Sequence, residues 1–290
     1  PVNGVQITTP FEKLEAEGGK YEEIKNATKA GVDIKTDVTN DSDTEATGVS
    51  VKSTVYNKEG DVVSTQTDDI TVAAGKTETI SQSVDVANPK LWSVDSPNLY
   101  WVRTEIIQNG KVVDRTDSRF GIRYIATNPN SGFYLNGVHT KLNGVCEHSD
   151  LGSLGMETYQ AAVDRRIRTL KKYGVNAIRT SHNPVSPEFI EACDRLGMLV
   201  FEEAFDQWLY SKNSDDYHNY FNKAADGKTV VFDKAGNDNT NNDTSYIEVK
   251  REDLQSNAER DIKAMVDRDK NAPCIFAWST GNEIYDARYK

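Results

Sequence analysis

The feature that most constrains this chain is a change of hydrophobic period near Ile125. Before it, apolar and polar side chains alternate, as in Val32-Asp33-Ile34-Lys35-Thr36-Asp37-Val38, the period of a strand with one buried and one wet face. Val49, Val51 and Val55 repeat the pattern, as do Ile70 with Val72, Val84 with Val86, and Tyr100, Val102, Thr104 and Ile106. Lys58-Glu59-Gly60-Asp61, Ala74-Gly75-Lys76 and Gln108-Asn109-Gly110-Lys111 each supply the glycine a tight turn needs. Roughly seven strands without a helical period between them predict an antiparallel, immunoglobulin-like β-sandwich over residues 1–125. Trp92 and Trp101 read as core or interdomain packing.

After Phe120-Gly121-Ile122-Arg123 the pattern becomes strand, helix, strand, helix, strand, long loop, helix, strand, the alternation of a parallel sheet with crossover helices. Lys141 to Cys146 reads as the first strand. Val163, Ile167 and Leu170 mark a helix face ending at Gly174. Ala177-Ile178-Arg179 is a second strand, and Ser186 with Pro187 opens a helix through Phe189, Ile190, Cys193 and Leu196 that Gly197 closes. Leu199-Val200-Phe201 is the third strand. A polar insertion from Asp206 to about Glu248 follows, and its run Asp233 to Asp243 lacks the spacing and glycine of a calcium loop. A helix through Ala258, Ile262 and Met265 leads to a last strand, Cys274 to Trp278. Four such units make either the first half of a (β/α)8 barrel or most of a doubly wound sheet.

The residues after each strand decide between them: Glu147-His148-Ser149-Asp150, then Arg179-Thr180-Ser181-His182-Asn183, then Glu202-Glu203 with Asp206, then Ser279-Thr280-Gly281-Asn282-Glu283. Barrel enzymes gather their chemistry at strand C-termini, and no strand here runs into a glycine-rich phosphate loop. The expected fold is therefore a sandwich followed by the first half of a TIM barrel over residues 126–290. The net charge of −11 without a basic stripe argues against a nucleic-acid partner. No apolar run approaches the ~18 residues of a membrane helix, and Pro1 to Pro10 carries no signal pattern. Cys146, Cys193 and Cys274 read as three buried thiols. A chain that opens on Pro1 and stops after a polar cluster reads as a piece of something larger.

Chemically, Glu283 fits a general acid, since a carboxyl in a partly dry pocket keeps its proton near neutral pH. Asn282 beside it suits a bond to a sugar hydroxyl next to the reacting carbon. Glu202 and Glu203 point opposite ways on a strand, so at most one faces the barrel mouth. His148 and His182 with the acids could also gather a zinc or manganese, although no His-x-His or His-x-x-x-His pair supports it.

Four motifs in order carry a resemblance: Leu142 to Asp150, Asn176 to Pro184, Glu202 to Trp208, and Trp278 to Glu283. Together they resemble glycoside hydrolase family 2, most closely its bacterial β-galactosidases. Leu91 to Tyr100 and Arg119-Phe120-Gly121-Ile122-Arg123 look like the end of that family's sandwich domain. The resemblance implies retaining, exo-acting hydrolysis of a β-linked oligosaccharide or glycoside, with Glu283 as acid/base and Asn282 as 2-hydroxyl contact. It sets His148, Arg179, His182, Asn183, Asp206 and Trp208 in the sugar subsite. The family's nucleophile comes from a later strand than any in this chain. Large relatives hold magnesium through a Glu-x-His after the third strand; Asp206-Gln207-Trp208 stands there instead, so neither a catalytic magnesium nor another cofactor is expected. β-Glucuronidase and β-mannosidase are the alternatives within the family, and a non-catalytic carbohydrate-binding or scaffold piece the alternative outside it. The open edges of a half barrel offer a route to self-association.

Overall fold

The alternation before Ile125 folds as two antiparallel sheets in the computed structural model, which describes residues 3–206, 230–232, 247–249 and 251–283. Strands β1 (Val5–Thr8), β2 (Leu14–Gly19), β3 (Glu22–Thr39) and β6 (Thr77–Ala87) form one sheet. Long β3 pairs with β6 on one edge, while β1 and β2 share the other. Strands β4 (Ala46–Tyr56), β5 (Val62–Val72), β7 (Tyr100–Gln108) and β8 (Lys111–Phe120) form the second, in the order β5-β4-β7-β8. The strands number eight rather than seven because the long edge of β3 takes two partners. Val32, Ile34, Val51, Val55 and Val102 are fully buried on the facing surfaces. Within this core, Ser53 Oγ donates to Gln82 Oε1 at 2.6 Å and Gln82 Nε2 to the Val51 carbonyl at 3.1 Å, so the buried polar pair is satisfied. Asn109 and Gly110, at φ 50° and 77°, make the two-residue hairpin between β7 and β8.

A hairpin that the alternation did not reveal comes next. Strands β9 (Ile125–Asn128), β10 (Gly132–Leu135) and β11 (Val138–His139) form a small antiparallel sheet, turned by Asn136-Gly137 at φ 51° and 75°. Phe133 and Leu135 bury themselves in the barrel-side core. These strands are too short for a periodicity count, but an Asn-Gly pair between apolar residues is a hairpin signal in its own right.

Beyond it, β12 (Gly144–His148), β13 (Ala177–Ser181), β14 (Leu199–Glu203) and β17 (Ile275–Ser279) lie parallel and in that order. Helices α1 (Gln160–Lys172), α2 (Pro187–Leu196) and α3 (Arg251–Asp269) connect them, with an antiparallel pair β15 (Val230–Phe232) and β16 (Ile247–Val249) before α3. This is the first half of a (β/α)8 barrel. The first strand begins at Gly144 rather than Lys141, because the Asn176 side chain captures the Asn143 amide at 2.8 Å and the Lys141 carbonyl at 2.9 Å. Helix α2 starts as its sequence dictates: Ser186 Oγ accepts from the Phe189 amide, Pro187 occupies the first turn, and Gly197 ends it at φ 75°. Val163, Ile167, Ile178, Phe189, Ile190, Val200 and Ile275 fill the layer between helices and sheet. Cys193 and Cys274 are buried, but Cys146 is exposed, because it stands on an edge strand two residues before exposed His148. The run Asp233 to Asp243 lies outside the described residues. Among those described, no helix is long and apolar enough to cross a membrane.

Sandwich and half barrel share a buried seam. Trp92 is fully buried in the barrel-side core and its Nε1 donates to the Asp194 carbonyl at 2.8 Å. Arg119 Nε and Nη2 donate to Asp194 Oδ2 at 3.0 and 2.8 Å, while the Cys274 amide donates to Oδ1 at 3.0 Å. Arg123 reaches the carbonyls of Pro273 and Ile275. These contacts tie the end of the sandwich to the base of β17, so the polar ends of the parallel strands project from a braced sheet.

Candidate active site at the strand C-termini

Parallel register builds the site. Cys146 pairs with Arg179 and Arg179 with Phe201, which puts Arg179 and, one pleat further along, Glu203 on one face. Glu203 is 1% exposed, yet it accepts from three side chains. Arg179 Nε and Nη2 donate to Oε2 at 3.0 and 2.8 Å, His182 Nδ1 lies 2.6 Å from Oε1, and Ser279 Oγ donates to Oε2 at 2.7 Å. The Glu203 amide donates to Thr180 Oγ1 at 2.9 Å. Burial alone would push this carboxyl up, but the hydrogen bonds from Ser279, His182 and Arg179 outweigh it and hold Glu203 below the ordinary glutamate range. Glu203 is therefore an anion at neutral pH.

The network continues outward. Arg179 Nη2 also donates to Asn282 Oδ1 at 2.7 Å, and Asn282 Nδ2 donates to Asp206 Oδ1 at 3.1 Å. Main-chain bonds seat this loop: Ala204 N donates to the Ser279 carbonyl at 3.0 Å and Asn282 N to the Phe205 carbonyl at 2.8 Å. His182 Nε2 stands 3.9 Å from Asp206 Oδ1, and the His148 ring meets the His182 ring edge-on at 5.3 Å. A cis peptide joins Ser181 to His182.

Of the residues singled out from sequence, the fold thus joins Arg179, His182, Asp206 and Asn282 in one hydrogen-bonded cluster, with His148 against it. Glu283 follows Asn282 directly, exposed and at φ 46°. Asn183 follows His182 and is exposed. Trp208 lies outside the described residues. Glu203, left unresolved between two adjacent glutamates, proves to be the hub. Glu202 faces the other way, into the helix layer, where Arg268 Nη2 donates to its Oε1 at 3.2 Å and to the Val185 carbonyl at 2.7 Å. Burial and then neighbouring Asp269 push the Glu202 carboxyl up to about 8, against the pull of Arg268. No apolar alternation marks which glutamate faces in, since a strand covered on both faces is apolar at every position. The signal is the register itself, Arg179 against Phe201 two residues before Glu203, which the sequence does not carry.

As to a metal, Asp206, which opens the stretch where the resemblance would set a magnesium ligand, already accepts from Asn282. Among the described residues no three His, Cys, Asp or Glu side chains gather around a common point.

A sandwich braced against a half barrel, with charged and amide groups converging on the strand C-termini, puts this polar cluster at the rim where barrel enzymes carry their chemistry. The family model described as "Glycosyl hydrolases family 2, TIM barrel domain" matches residues 127–290, and that described as "Glycosyl hydrolases family 2" matches residues 20–123. The chain belongs to glycoside hydrolase family 2. A beta-galactosidase of Bacteroides ovatus is 35% identical over 258 residues, covering 89% of this chain and 26% of that protein. A putative beta-glucuronidase of Formosa agariphila is 37% identical over 205 residues, covering 71% of this chain and 17% of that protein. Among solved structures, a glycosyl hydrolase family 2 member from Bacteroides cellulosilyticus superposes with a TM-score of 0.74 at 32% identity, covering 99% of this chain and 31% of that one. The chain thus spans about a quarter of the curated relative from Bacteroides ovatus.

Proposed function

We propose that these residues act within a longer β-glycosidase that cleaves terminal β-galactosides with retention of configuration. The observation that carries this reading is the fixed amide of Asn282, held by Arg179 and Asp206 immediately before Glu283. Oδ1 is occupied by Arg179, so Nδ2 is the end that turns toward a substrate hydroxyl. Glu283 protonates the leaving oxygen and then, as its conjugate base, draws a proton from the incoming water. The attacking carboxylate must stand about 5–5.5 Å from the acid/base in a retaining site. Glu203 is no candidate for that role, since its oxygens are engaged by Arg179, His182 and Ser279; the nucleophile comes from another part of the polypeptide.

Galactoside is favoured over glucuronide because, among the described residues, the cation of this cluster is Arg179, which is committed to Glu203 and Asn282. Relatives named beta-glucuronidase make that sugar the natural competitor. Side-by-side turnover of aryl β-galactoside, β-glucuronide and β-mannoside by the protein containing this chain tests the sugar. In the same protein, Glu283→Gln is expected to slow poor leaving groups far more than activated ones, because only the former depend on protonation. Equal slowing of both would remove Glu283 from the acid/base role.

A further inference from the structure

We infer that Glu203 is a positioning residue that sets how the site meets the 2-hydroxyl of its substrate, acting through Arg179 on Asn282 and directly on His182. The inference rests on the glycosidase reading above and goes beyond it, because Glu203 cannot touch a sugar: it is 1% exposed and sits behind the residues that can.

The geometry gives two lines of action. The first runs from the carboxylate to the amide. Glu203 takes both Arg179 Nε and Nη2, and that same Nη2 donates to Asn282 Oδ1 at 2.7 Å. A guanidinium is a rigid planar fork, so pinning one edge on the carboxylate fixes where the shared nitrogen points. Asn282 must then present its oxygen to Arg179 and its NH2 elsewhere, toward Asp206. Free rotation of the amide by half a turn would set an acceptor where a donor is needed, and Arg179 would face Nδ2, donor against donor. Glu203 thereby settles the amide's orientation at a distance.

The second line runs to His182. With Nδ1 at 2.6 Å from Glu203 Oε1, the carboxylate claims the Nδ1 proton and leaves Nε2 to face the open side near Asp206. Charged and titratable groups facing this imidazole are Glu203, Asp206 and His148. The Ser279 hydroxyl, donating to Oε2, ties the same carboxylate to the strand that carries Asn282 and Glu283. Glu203 thus couples the ends of β13, β14 and β17 in a single ionic knot.

The test uses the protein containing this chain, an aryl β-galactoside and its 2-deoxy analogue. Glu203→Gln is expected to lower kcat/KM on the order of 100-fold for the parent sugar, the scale of one lost transition-state contact, but by no more than about fivefold for the 2-deoxy sugar. Combined with Asn282→Ala, Glu203→Gln is expected to add only the smaller part that passes through His182, no more than about fivefold. Ser279→Ala, which keeps the carboxylate and removes one of its bonds, is expected to shift the two substrates in the same unequal sense and by less. Equal losses on both sugars, or additive losses with Asn282→Ala, would overturn the positioning role. If the wild-type protein cleaves no aryl β-glycoside, the functional reading falls, and a crystal structure of Glu203→Gln then judges the clamp by itself. Loss of the Arg179 Nη2 to Asn282 Oδ1 bond in that variant upholds the clamp, and its retention overturns it.

Discussion

Replacing Arg119 by methionine isolates the electrostatics of the seam between sandwich and half barrel. Methionine keeps most of the side chain's length and apolar stem, so the perturbation is the loss of two donors to Asp194 Oδ2. Asp194 is fully buried; burial pushes its carboxyl up while Arg119 and the Cys274 amide pull it down. Without the guanidinium the acid has two options. Remaining charged with a single backbone donor costs about 3–5 kcal/mol. Taking up a proton costs about 4 kcal/mol at pH 7, because an aspartate near 3.9 in the unfolded chain loses 1.36 kcal/mol for each unit by which pH exceeds that value. The cheaper option caps the loss, and the already raised wild-type acid carries part of that cost, so destabilisation at pH 7 is below about 4 kcal/mol.

The pH dependence then follows in sign. A carboxyl whose folded pKa is raised contributes most below its unfolded value, and that contribution declines as pH rises through the folded value. Asp194 is already raised in the wild type, and the variant raises it further, so the gap between the two proteins widens with pH. At pH 5 the protonation route costs only about 1.5 kcal/mol. Urea unfolding at pH 5 and pH 7, with unchanged m-values, reads both numbers. Equal midpoint shifts at the two pH values, or a loss below about 1 kcal/mol at pH 7, would refute the reasoning.

Glu202→Gln is expected to flatten the pH profile of stability. With the folded carboxyl at about 8 against an unfolded value of 4.5, the Glu202 and Asp269 pair loses stability at about 1.4 kcal/mol per pH unit as pH rises between those values, and a wild-type profile without that slope would contradict the assignment. Trp92→Phe leaves the buried Asp194 carbonyl without its donor and should cost about 1–3 kcal/mol in urea unfolding. Gly137→Ala meets two obstacles, a φ of 75° and a Cβ set against the Glu22 carbonyl oxygen, and is expected to destabilise by at least about 1 kcal/mol. The 290-residue chain by itself is expected to show no turnover of an aryl β-galactoside, since a retaining site needs a second carboxylate; turnover at the rate of a complete relative, lost on Glu283→Gln, would mean that the nucleophile lies within these residues.

The two-part architecture was legible because each half satisfies its own periodicity. Val32, Ile34 and Thr36 alternate with wet neighbours along one strand, and Val163 with Ile167 marks a helix; both patterns report a local choice of buried face that no distant residue alters. The helix caps at Ser186 and Gly197 were equally local. The residues of the rim could also be named, since polar side chains at the ends of otherwise apolar strands have no packing reason to recur four times. What the sequence could not determine were relationships across strands. Whether Glu202 or Glu203 faced the mouth depended on the register of β14 against β13, and both faces of that strand are covered, so its composition carries no parity. The exposure of Cys146 followed from its place on an edge strand, not from its neighbours in the chain. The hub itself, one anionic carboxylate held by Arg179, His182 and Ser279, binds partners up to 76 positions away from it in the chain. Its charge state reflects desolvation set against three hydrogen bonds, a balance that exists only once the strands have met.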